Sequence, residues 1–296
     1  MNNKIKIFLK RGDMMGEKKN VIYDGLVSNP RVEIVKTIRE CDYIILTFRD
    51  FNWYRSLPRK YPRKLIVVDF RDQAHKVFNV KCFAYFKRSI VKKNLRNSKL
   101  SFVKYGKPIL PITYSIRQEC LTMHIFKNLD RYKRDIDISI FFPPAIKKNV
   151  GRCSVARFIK NNFPNNTKHV GIVGKHKKKG RNSIQNPYFN KMFHSKIVVT
   201  CNPSKWEGDY RTWEAIASGA LVFVDRMLTP VINPLIDGKH IIFYNKFNLE
   251  ELKKKILYYL ENEEERLKIA KEGYNYCSEY HKSSDRIDEI LSVLTT

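Results

Sequence analysis

The segment from Cys201 to Ala220 combines side chains that suit a nucleotide. An apolar run typical of a buried strand, Ile197-Val198-Val199, precedes a polar loop, and the loop leads into a predicted helix over 210–218. A strand end followed by a helix N-terminus offers unpaired N–H groups and the positive end of the helix dipole to an anion. Arg211, in the first turn of that helix, adds a planar fork of donors that fits phosphate oxygens.

Glu214 lies one turn after Arg211 and shares its face of the predicted helix. A carboxylate there can accept hydrogen bonds from two vicinal hydroxyls, so that an arginine for phosphate stands beside a glutamate for ribose. This pattern indicates a nucleotide site. The spacing alone fits equally well an ordinary i,i+3 surface pair, with Gly219 serving only as the C-cap.

A second candidate for anion binding is the glycine-rich segment that follows another predicted strand. It reads Gly171-Ile-Val-Gly174-Lys175. Glycine and lysine at a strand end can cradle and neutralise a pyrophosphate, which makes Gly174 and Lys175 candidate phosphate contacts. The spacing is not that of a P-loop, because the G-x-x-x-x-G-K-[ST] pattern is absent.

Strands and helices alternate along the chain, as parallel sheets require. The first half predicts strands at 4–9, 21–23, 43–47, 65–70 and 81–85, and helices at 31–40, 86–95 and 114–126. The second half repeats the rhythm more clearly, from a strand at 136–142 to three helices after residue 249. The sequence therefore predicts an α/β protein with two Rossmann-like doubly wound domains that face a cleft.

A chain of 296 residues is long enough for two such domains. We place an N-terminal Rossmann-like domain at 1–130 and a C-terminal Rossmann-like domain at 131–280. Residues 281–296 form a C-terminal helix that can pack back on the first domain. The apolar runs are far shorter than the roughly 18 residues of a membrane span, and the chain start lacks the pattern of a signal peptide. The expected location is cytoplasmic.

The net charge of +28 lies mainly in the first half of the chain. Residues 1–134 hold 31 Lys and Arg against 11 Asp and Glu. A field of that sign attracts phosphates, acidic lipid head groups, anionic glycans or nucleic acid, and by itself cannot choose among them.

The helix of the nucleotide segment and the strand after it carry a family resemblance. The run Arg211-Thr-Trp-Glu214-Ala-Ile-Ala-Ser-Gly219-Ala, with the later segment 234–244, resembles the C-terminal domain of GT-B glycosyltransferases. It is closest to the group-1-like and spore-coat-type branch, written R-x-x-E-A-x-A-x-G-A, and less close to the exostosin type. The match extends over about residues 195–281.

The resemblance implies that Arg211 contacts the donor diphosphate and that Glu214 holds the ribose. It also implies that the Asn202–Trp206 loop flanks the nucleotide. Our candidate donor contacts in this loop and at the helix start are Asn202, Ser204, Trp206, Glu207, Asp209 and Tyr210. The spacing from Glu207 to Glu214 is one residue shorter than the E-x7-E signature of retaining members. The role of Glu207 and the stereochemical outcome therefore stay open.

An inverting sugar transferase needs a general base for the acceptor hydroxyl. Asp69 and Asp72 flank Arg71 at the end of a predicted strand, and either can serve if partly desolvated. The alternative is structural, with Asp69 paired to Arg71 and Asp72 capping a helix. Asp13, in the loop after the first strand, is the third candidate.

The metal question turns on the sequence Asp135-Ile136-Asp137. In metal-dependent GT-A transferases a D-x-D motif ends a strand, so that both carboxylates face the metal, but here the motif begins one. We therefore expect no metal and no obligatory cofactor. The six scattered cysteines form no C-x-x-C pair and predict neither a zinc site nor a disulfide framework.

The resemblance implies a transferase that uses a nucleotide diphosphate sugar, with uridine as the first choice of base and guanosine as the second. In this scheme residues 1–130 bind the acceptor and residues 131–280 bind the nucleotide sugar. The basic first half predicts an anionic acceptor, a glycan or a lipid-linked molecule, reached at an acidic membrane surface. Two alternatives are a nucleic-acid-binding protein, suggested by aromatic residues among the cations at 83–88, and an inactive GT-B scaffold. No specific nucleic acid is expected, because the basic residues are spread over many elements.

Overall fold

The computed structural model describes most of the chain, and the statements below concern that part. It covers residues 4–9, 19–47, 56–71, 77–90, 108–123, 127–142, 150–164, 167–170, 186–202 and 209–294. The chain packs as two compact units. Unit 1 comprises Met1–Gln118, Leu228–Ile232 and Lys282–Thr296, and unit 2 comprises Glu119–Met227 and Asn233–His281. The domain limits at 130 and 280 stay a prediction.

The α-helices are numbered in chain order. They are α1 (Asp24–Ser28), α2 (Leu57–Lys60), α3 (Gln118–Thr122), α4 (Val150–Asn162), α5 (Asn186–Phe193), α6 (Tyr210–Ala217), α7 (Leu249–Glu261), α8 (Glu263–Tyr280) and α9 (Ser283–Ser292). Within the described ranges, none of these helices combines the length and the apolar character that crossing a membrane requires.

Unit 1 is built on a parallel sheet in the order β2-β1-β3-β4-β5-β6. Its strands are β1 (Ile5–Leu9), β2 (Val32–Val35), β3 (Tyr43–Thr47), β4 (Leu65–Asp69), β5 (Ala84–Lys87) and β6 (Ile109–Pro111). Every residue of β4 and β5 is buried, which explains why both are apolar up to their last residues, Asp69 and Lys87. Pro111 ends the edge strand, where a residue without an N–H group is tolerated.

Three predictions for the first half are wrong. The predicted helix at 31–40 is strand β2 followed by a turn, because the β-branched run Val-Glu-Ile-Val pairs with β1. The predicted strand at 21–23 belongs to a helical turn, Lys19–Tyr23, that leads into α1. β5 occupies residues 84–87, where the helix over 86–95 was expected to begin, and residues 91–95 lie outside the described ranges.

Of the predicted helix at 114–126, residues 114–117 are not helical and α3 covers Gln118–Thr122, while residues 124–126 lie outside the described ranges. Two carbonyl groups before α3 are used by α9, since Ser283 N donates to Ile116 O at 3.0 Å and Arg286 Nε donates to Tyr114 O at 3.3 Å. The segment 112–117 is therefore held beside α9 and is not helical.

Helix α9 belongs to unit 1 and packs against α1. A Cβ atom at Gly25 would overlap Ser283 O and lie 2.7 Å from Ile287 Cγ1, so the two helices meet at this glycine. We expect Gly25→Ala to destabilise the protein by about 1–3 kcal/mol, the range for overpacked sites. The matched control is Gly151→Ala in α4, where a Cβ comes no closer than 3.4 Å to Lys246 and alanine favours the helix. Thermal unfolding checks the pair, and equal melting temperatures would contradict the prediction.

Unit 2 is built on a parallel sheet in the order β11-β10-β9-β7-β8. Its strands are β7 (Ile136–Ile140), β8 (Thr167–Val170), β9 (Ser195–Val199), β10 (Leu221–Asp225) and β11 (Ile242–Tyr244). The chain leaves β7 to one side for β8 and then crosses to β9 on the other side. The strand order thus reverses between β7 and β9, and in doubly wound sheets ligands bind at the carboxyl ends of such neighbouring strands. Each element predicted for this half overlaps an observed one.

Candidate functional site

Two helices of unit 2 begin beside the carboxyl ends of β7 and β9. Helix α4 carries Arg152 in its first turn, and α6 carries Arg211 in its first turn. Asp209 is the N-cap of α6, where its Oδ1 accepts a hydrogen bond from Arg211 N at 2.9 Å. The positive ends of two helix dipoles therefore meet at the reversal point of the sheet, an arrangement that attracts anions.

Arg152, Asp209 and Arg211 form a guanidinium cluster. Asp209 Oδ2 accepts from Arg152 Nη2 at 2.6 Å and from Arg211 Nη1 at 2.5 Å. Each arginine is also anchored to a strand end: Arg211 Nε donates to Phe141 O at 2.8 Å, and Arg152 Nε donates to Cys201 O at 2.6 Å. Two cations share one carboxylate, so the cluster keeps a net positive charge.

The cluster is shielded from water. The side chains of Arg152 and Arg211 are 9% and 12% exposed, and that of Asp209 is 7% exposed. Charge interactions are stronger in such surroundings than on an open surface. The cluster can therefore bind a doubly charged group such as a diphosphate through fixed, oriented donors.

Glu214 is buried and has an aromatic partner. Tyr188 in α5 donates its hydroxyl to Glu214 Oε2 at 2.6 Å, and the Tyr188 ring meets Phe141 edge to face, with 5.1 Å between centroids. Because Glu214 is 6% exposed, an exposed surface pair with Arg211 does not describe it. Tyr188 therefore holds the carboxylate in one orientation.

Asn202 is fixed by the end of β10. Its backbone N donates to Asp225 Oδ1, and its Nδ2 donates to Asp225 O at 3.0 Å. Asp225 in turn pairs with Lys246 at 2.6 Å, and burial raises the pKa of this carboxyl despite that pairing. Asn202 Oδ1 is buried without a hydrogen-bond partner among the described residues, which leaves one acceptor of the loop unused.

Several predicted site residues lie outside the described part of the chain. They are Asp13, Asp72, Gly174, Lys175, Ser204, Trp206 and Glu207, and the side chain of Tyr210 is also not described. Their roles stay predictions. Of the remaining candidates, the structure brings Asn202, Asp209, Arg211 and Glu214 to one end of the unit 2 sheet.

Asp69 lies in unit 1 and fits the structural alternative better than the role of a base. It is completely buried, and Arg71 donates hydrogen bonds to both of its carboxylate oxygens, from Nε to Oδ1 at 2.9 Å and from Nη2 to Oδ2 at 2.7 Å. Tyr85 and Lys87 bind the same carboxylate, at 2.8 and 3.3 Å. Burial alone raises the pKa of Asp69, but Arg71 and Lys87 lower it more, and the net direction is down. A buried carboxylate with a lowered pKa is a weak base and is poorly suited to take a proton from a substrate.

Lys87, which binds Asp69, gives the stability of the protein a testable pH dependence. Burial lowers its pKa to about 8, against the attraction of Asp69. Between that value and the pKa of about 10.4 in an unfolded chain, the unfolded state binds a proton that the native state has lost, so stability rises with pH. We expect Lys87→Met to remove this rise between pH 8 and 10, while exposed Lys81→Met keeps it. Melting temperatures across that range check it, and parallel curves for wild type and Lys87→Met would contradict it.

The two carboxylates of the D-x-D segment have different partners and do not form one site. Asp137 pairs with Lys196 of β9 at 2.5 Å, and Asp135 lies 3.4 Å from His194. In the described ranges no three His, Cys, Asp or Glu side chains come together as a metal site. Metal independence stays a prediction.

Four residues of the site were not found from sequence. They are brought together only by the folded sheet, from α4, α5, β10 and the connection after β11, and are Arg152, Tyr188, Asp225 and Lys246. Only Asp225 could have been found from the sequence, because a carboxylate at the end of an apolar strand marks a candidate site residue, as it does for Asp69.

A family model matches the second half of the chain. Residues 152–292 match the family model described as glycosyl transferase-like, and the match begins at Arg152 and includes the whole guanidinium cluster. No curated protein matches the chain.

Solved structures resemble the whole chain. An alpha-glucosyltransferase in complex with UDP and a 13-mer DNA containing an HMU base matches with a TM-score of 0.64 and 13% identity, over 100% of both chains. A glycosyltransferase from Rickettsia africae ESF-5 matches with a TM-score of 0.59 and 11% identity, over 99% of this chain and 98% of that one. Sucrose-phosphate synthase from Thermosynechococcus elongatus matches with a TM-score of 0.53 and 9% identity, over 86% and 74%. Likeness at these identities shows a shared fold, the GT-B fold.

Proposed function

We propose that this chain, a glycosyltransferase with the GT-B fold, transfers a sugar from a uridine diphosphate sugar to a hydroxyl group of an anionic acceptor. The observation that carries the donor half of the proposal is the guanidinium cluster at the reversal point of the unit 2 sheet. Uridine is favoured over guanosine because the alpha-glucosyltransferase of the same fold is in complex with UDP.

The cluster supplies what departure of a nucleoside diphosphate requires. As the glycosidic bond breaks, negative charge grows on the diphosphate, and oriented guanidinium groups and helix N-termini stabilise that charge without rearranging. Arg211 and Arg152 fill this role, with Lys175 as a further contact. Glu214 receives the ribose hydroxyls, and Asn202 borders the nucleotide. With this much fixed positive charge we expect transfer to proceed without a divalent ion.

Asp209 competes with the diphosphate for both arginines, which gives a prediction. Asp209→Asn keeps the capping oxygen but removes the negative charge from the cluster. We expect it to tighten UDP binding about five-fold, which corresponds to about 1 kcal/mol, and to leave binding of uridine unchanged. Calorimetric titration of both ligands checks this. Weaker UDP binding by a protein of unchanged melting temperature would show that Asp209 acts only by orienting the arginines.

The acceptor half of the proposal is supported by the charge of the first half of the chain. A glycan or lipid-linked acceptor that carries phosphate or carboxylate groups is attracted by this field, with transfer at the cytosolic face of an acidic membrane. Asp13 or Asp72 is the proposed base for the acceptor hydroxyl.

A nucleic acid is the second candidate acceptor. It is favoured by the same basic field and by the alpha-glucosyltransferase, whose chain is matched over its full length and which is in complex with DNA. Phosphate contacts of this kind weaken steeply as salt rises.

The test is a turnover screen of UDP- and GDP-sugars against three acceptor classes: anionic lipid vesicles, an anionic polysaccharide and oligonucleotides. We expect release of UDP that depends on one anionic class, with and without a divalent ion. Binding of neither UDP nor GDP would overturn the donor assignment, and transfer to a neutral acceptor alone would overturn the acceptor assignment.

A further inference from the structure

The segment between β6 and α3 carries polar side chains on alternate residues, Thr113, Ser115 and Arg117. All three are buried, at 2%, 4% and 4% exposure. Thr113 Oγ1 and Ser115 Oγ have no hydrogen-bond partner in the part of the chain that the structure describes. A buried hydroxyl without a partner costs about 1–3 kcal/mol, so two of them two residues apart indicate that something else completes their bonds.

The backbone of this segment is held along its length. Ile112 N donates to Lys87 O at 3.3 Å, and the carbonyls of Tyr114 and Ile116 accept from α9. In extended chain, alternate side chains point to the same side. Thr113, Ser115 and Arg117 therefore share one side, and the residues between them take the other, where the Tyr114 ring stacks on Phe70.

The charge around the segment favours an anion. Lys87 is the last residue of the neighbouring strand β5 and is fully buried. Asp69 is the carboxylate that faces Lys87, and it is shared with Arg71. Because the Asp69 carboxylate faces two cations, these three side chains together carry a positive charge, which attracts a negative group. Two hydroxyls and a guanidinium are all donors to phosphate oxygens.

We propose that Thr113, Ser115 and Arg117 form a subsite for a phosphate group of the acceptor. The strand order of the unit 1 sheet reverses at β1 and β3, and β6 lies three strands beyond β3, a span of about 14 Å at the usual strand spacing. A phosphate at the end of β6 is therefore remote from the reacting hydroxyl and belongs to an extended acceptor. This inference rests on the proposed function in one respect, the anionic acceptor.

Removal of the two hydroxyls is expected to change two measurements in opposite ways: thermal stability without ligand is kept or increased, and phosphate affinity is lowered. In the double variant Thr113→Val and Ser115→Ala, both unpartnered hydroxyls are gone, so we expect the melting temperature without ligand to stay equal or rise. Phosphate binding is expected to weaken at least ten-fold. The matched control, Thr113→Ser with Ser115→Thr, keeps both hydroxyls and is expected to bind phosphate as wild type does.

The experiment titrates inorganic phosphate into protein saturated with UDP, which occupies the guanidinium cluster. Saturable phosphate binding that the double variant loses and the control keeps supports the subsite. Absence of a saturable phosphate site, or equal affinity in the double variant, overturns it. If UDP does not bind, the proposed function fails. The phosphate titration is therefore repeated in Arg211→Ala protein without UDP, which tests the subsite independently of UDP binding.

Competition then identifies the source of the phosphate. An oligonucleotide or vesicles containing phosphatidic acid are added to the phosphate-loaded protein. Displacement by the first assigns the subsite to a nucleic acid backbone, and displacement by the second assigns it to a lipid phosphate. Displacement by neither overturns its assignment to the acceptor.

Discussion

Arg211→Ala is expected to lower kcat/KM for sugar transfer by about 100-fold to 1000-fold, the cost of removing one preorganised donor from a developing negative charge. The guanidinium is held by Phe141 O and Asp209, so its orientation is set before the donor arrives. The fold is expected to survive, because Asp209 keeps its bond to Arg152 after the substitution. Steady-state kinetics with the best donor of the screen give the effect on transfer, and thermal unfolding gives the effect on the fold.

Two further variants separate charge from geometry at this position. Arg211→Lys keeps the charge but loses the planar fork, and we expect an activity between those of wild type and Arg211→Ala. Arg157→Ala removes an exposed arginine from α4, the helix of Arg152, and is expected to behave as wild type. Turnover of Arg211→Ala at the wild-type rate would contradict the diphosphate role.

Glu214→Gln is expected to weaken UDP binding about ten-fold to a hundred-fold, as loss of hydrogen bonds to a charged group does. The physical reason is that a carboxylate accepts from both ribose hydroxyls, whereas the amide has one accepting oxygen. Tyr188 fixes the side chain through Oε2, so Tyr188→Phe is expected to have a smaller effect in the same direction.

A donor analogue makes this prediction specific for the ribose. With 2′,3′-dideoxy-UDP, wild type and Glu214→Gln are expected to bind equally, because the hydroxyls that the carboxylate would accept from are missing. Calorimetric titration of UDP and of the analogue into both proteins gives the interaction energy between the Glu214 carboxylate and the ribose hydroxyls. An equal loss of affinity for both ligands would mean that Glu214 supports the site without touching the ribose.

The places of Arg211 and Glu214 in the fold could be predicted from sequence because their pattern is local. Arg211 and Glu214 lie on one helix that follows one strand, so strand, helix start and spacing determine where both side chains go. Arg152 could not be predicted, because its contact with Asp209 depends on β7 and β9 being neighbours, which is a property of strand order.

The first half of the chain shows where patterns become ambiguous. Val32, Val35 and Ile38 have helical spacing, yet the strand Val32–Val35 is too short for its period to decide between helix and strand. Asp69 illustrates the same limit for chemistry. A carboxylate at a strand end fits both a base and an ion pair, and only the contacts of Arg71, Tyr85 and Lys87 distinguish them.

The central claim is that the guanidinium cluster binds the diphosphate of a uridine nucleotide. The most direct measurement is calorimetric titration of UDP, UMP and uridine into wild type and Arg211→Ala at one salt concentration. The claim predicts that wild type binds UDP most tightly and uridine most weakly, and that Arg211→Ala loses the advantage of UDP while its affinity for uridine is unchanged. Equal affinity of wild type for the three ligands, or an unchanged preference for UDP in Arg211→Ala, would contradict it.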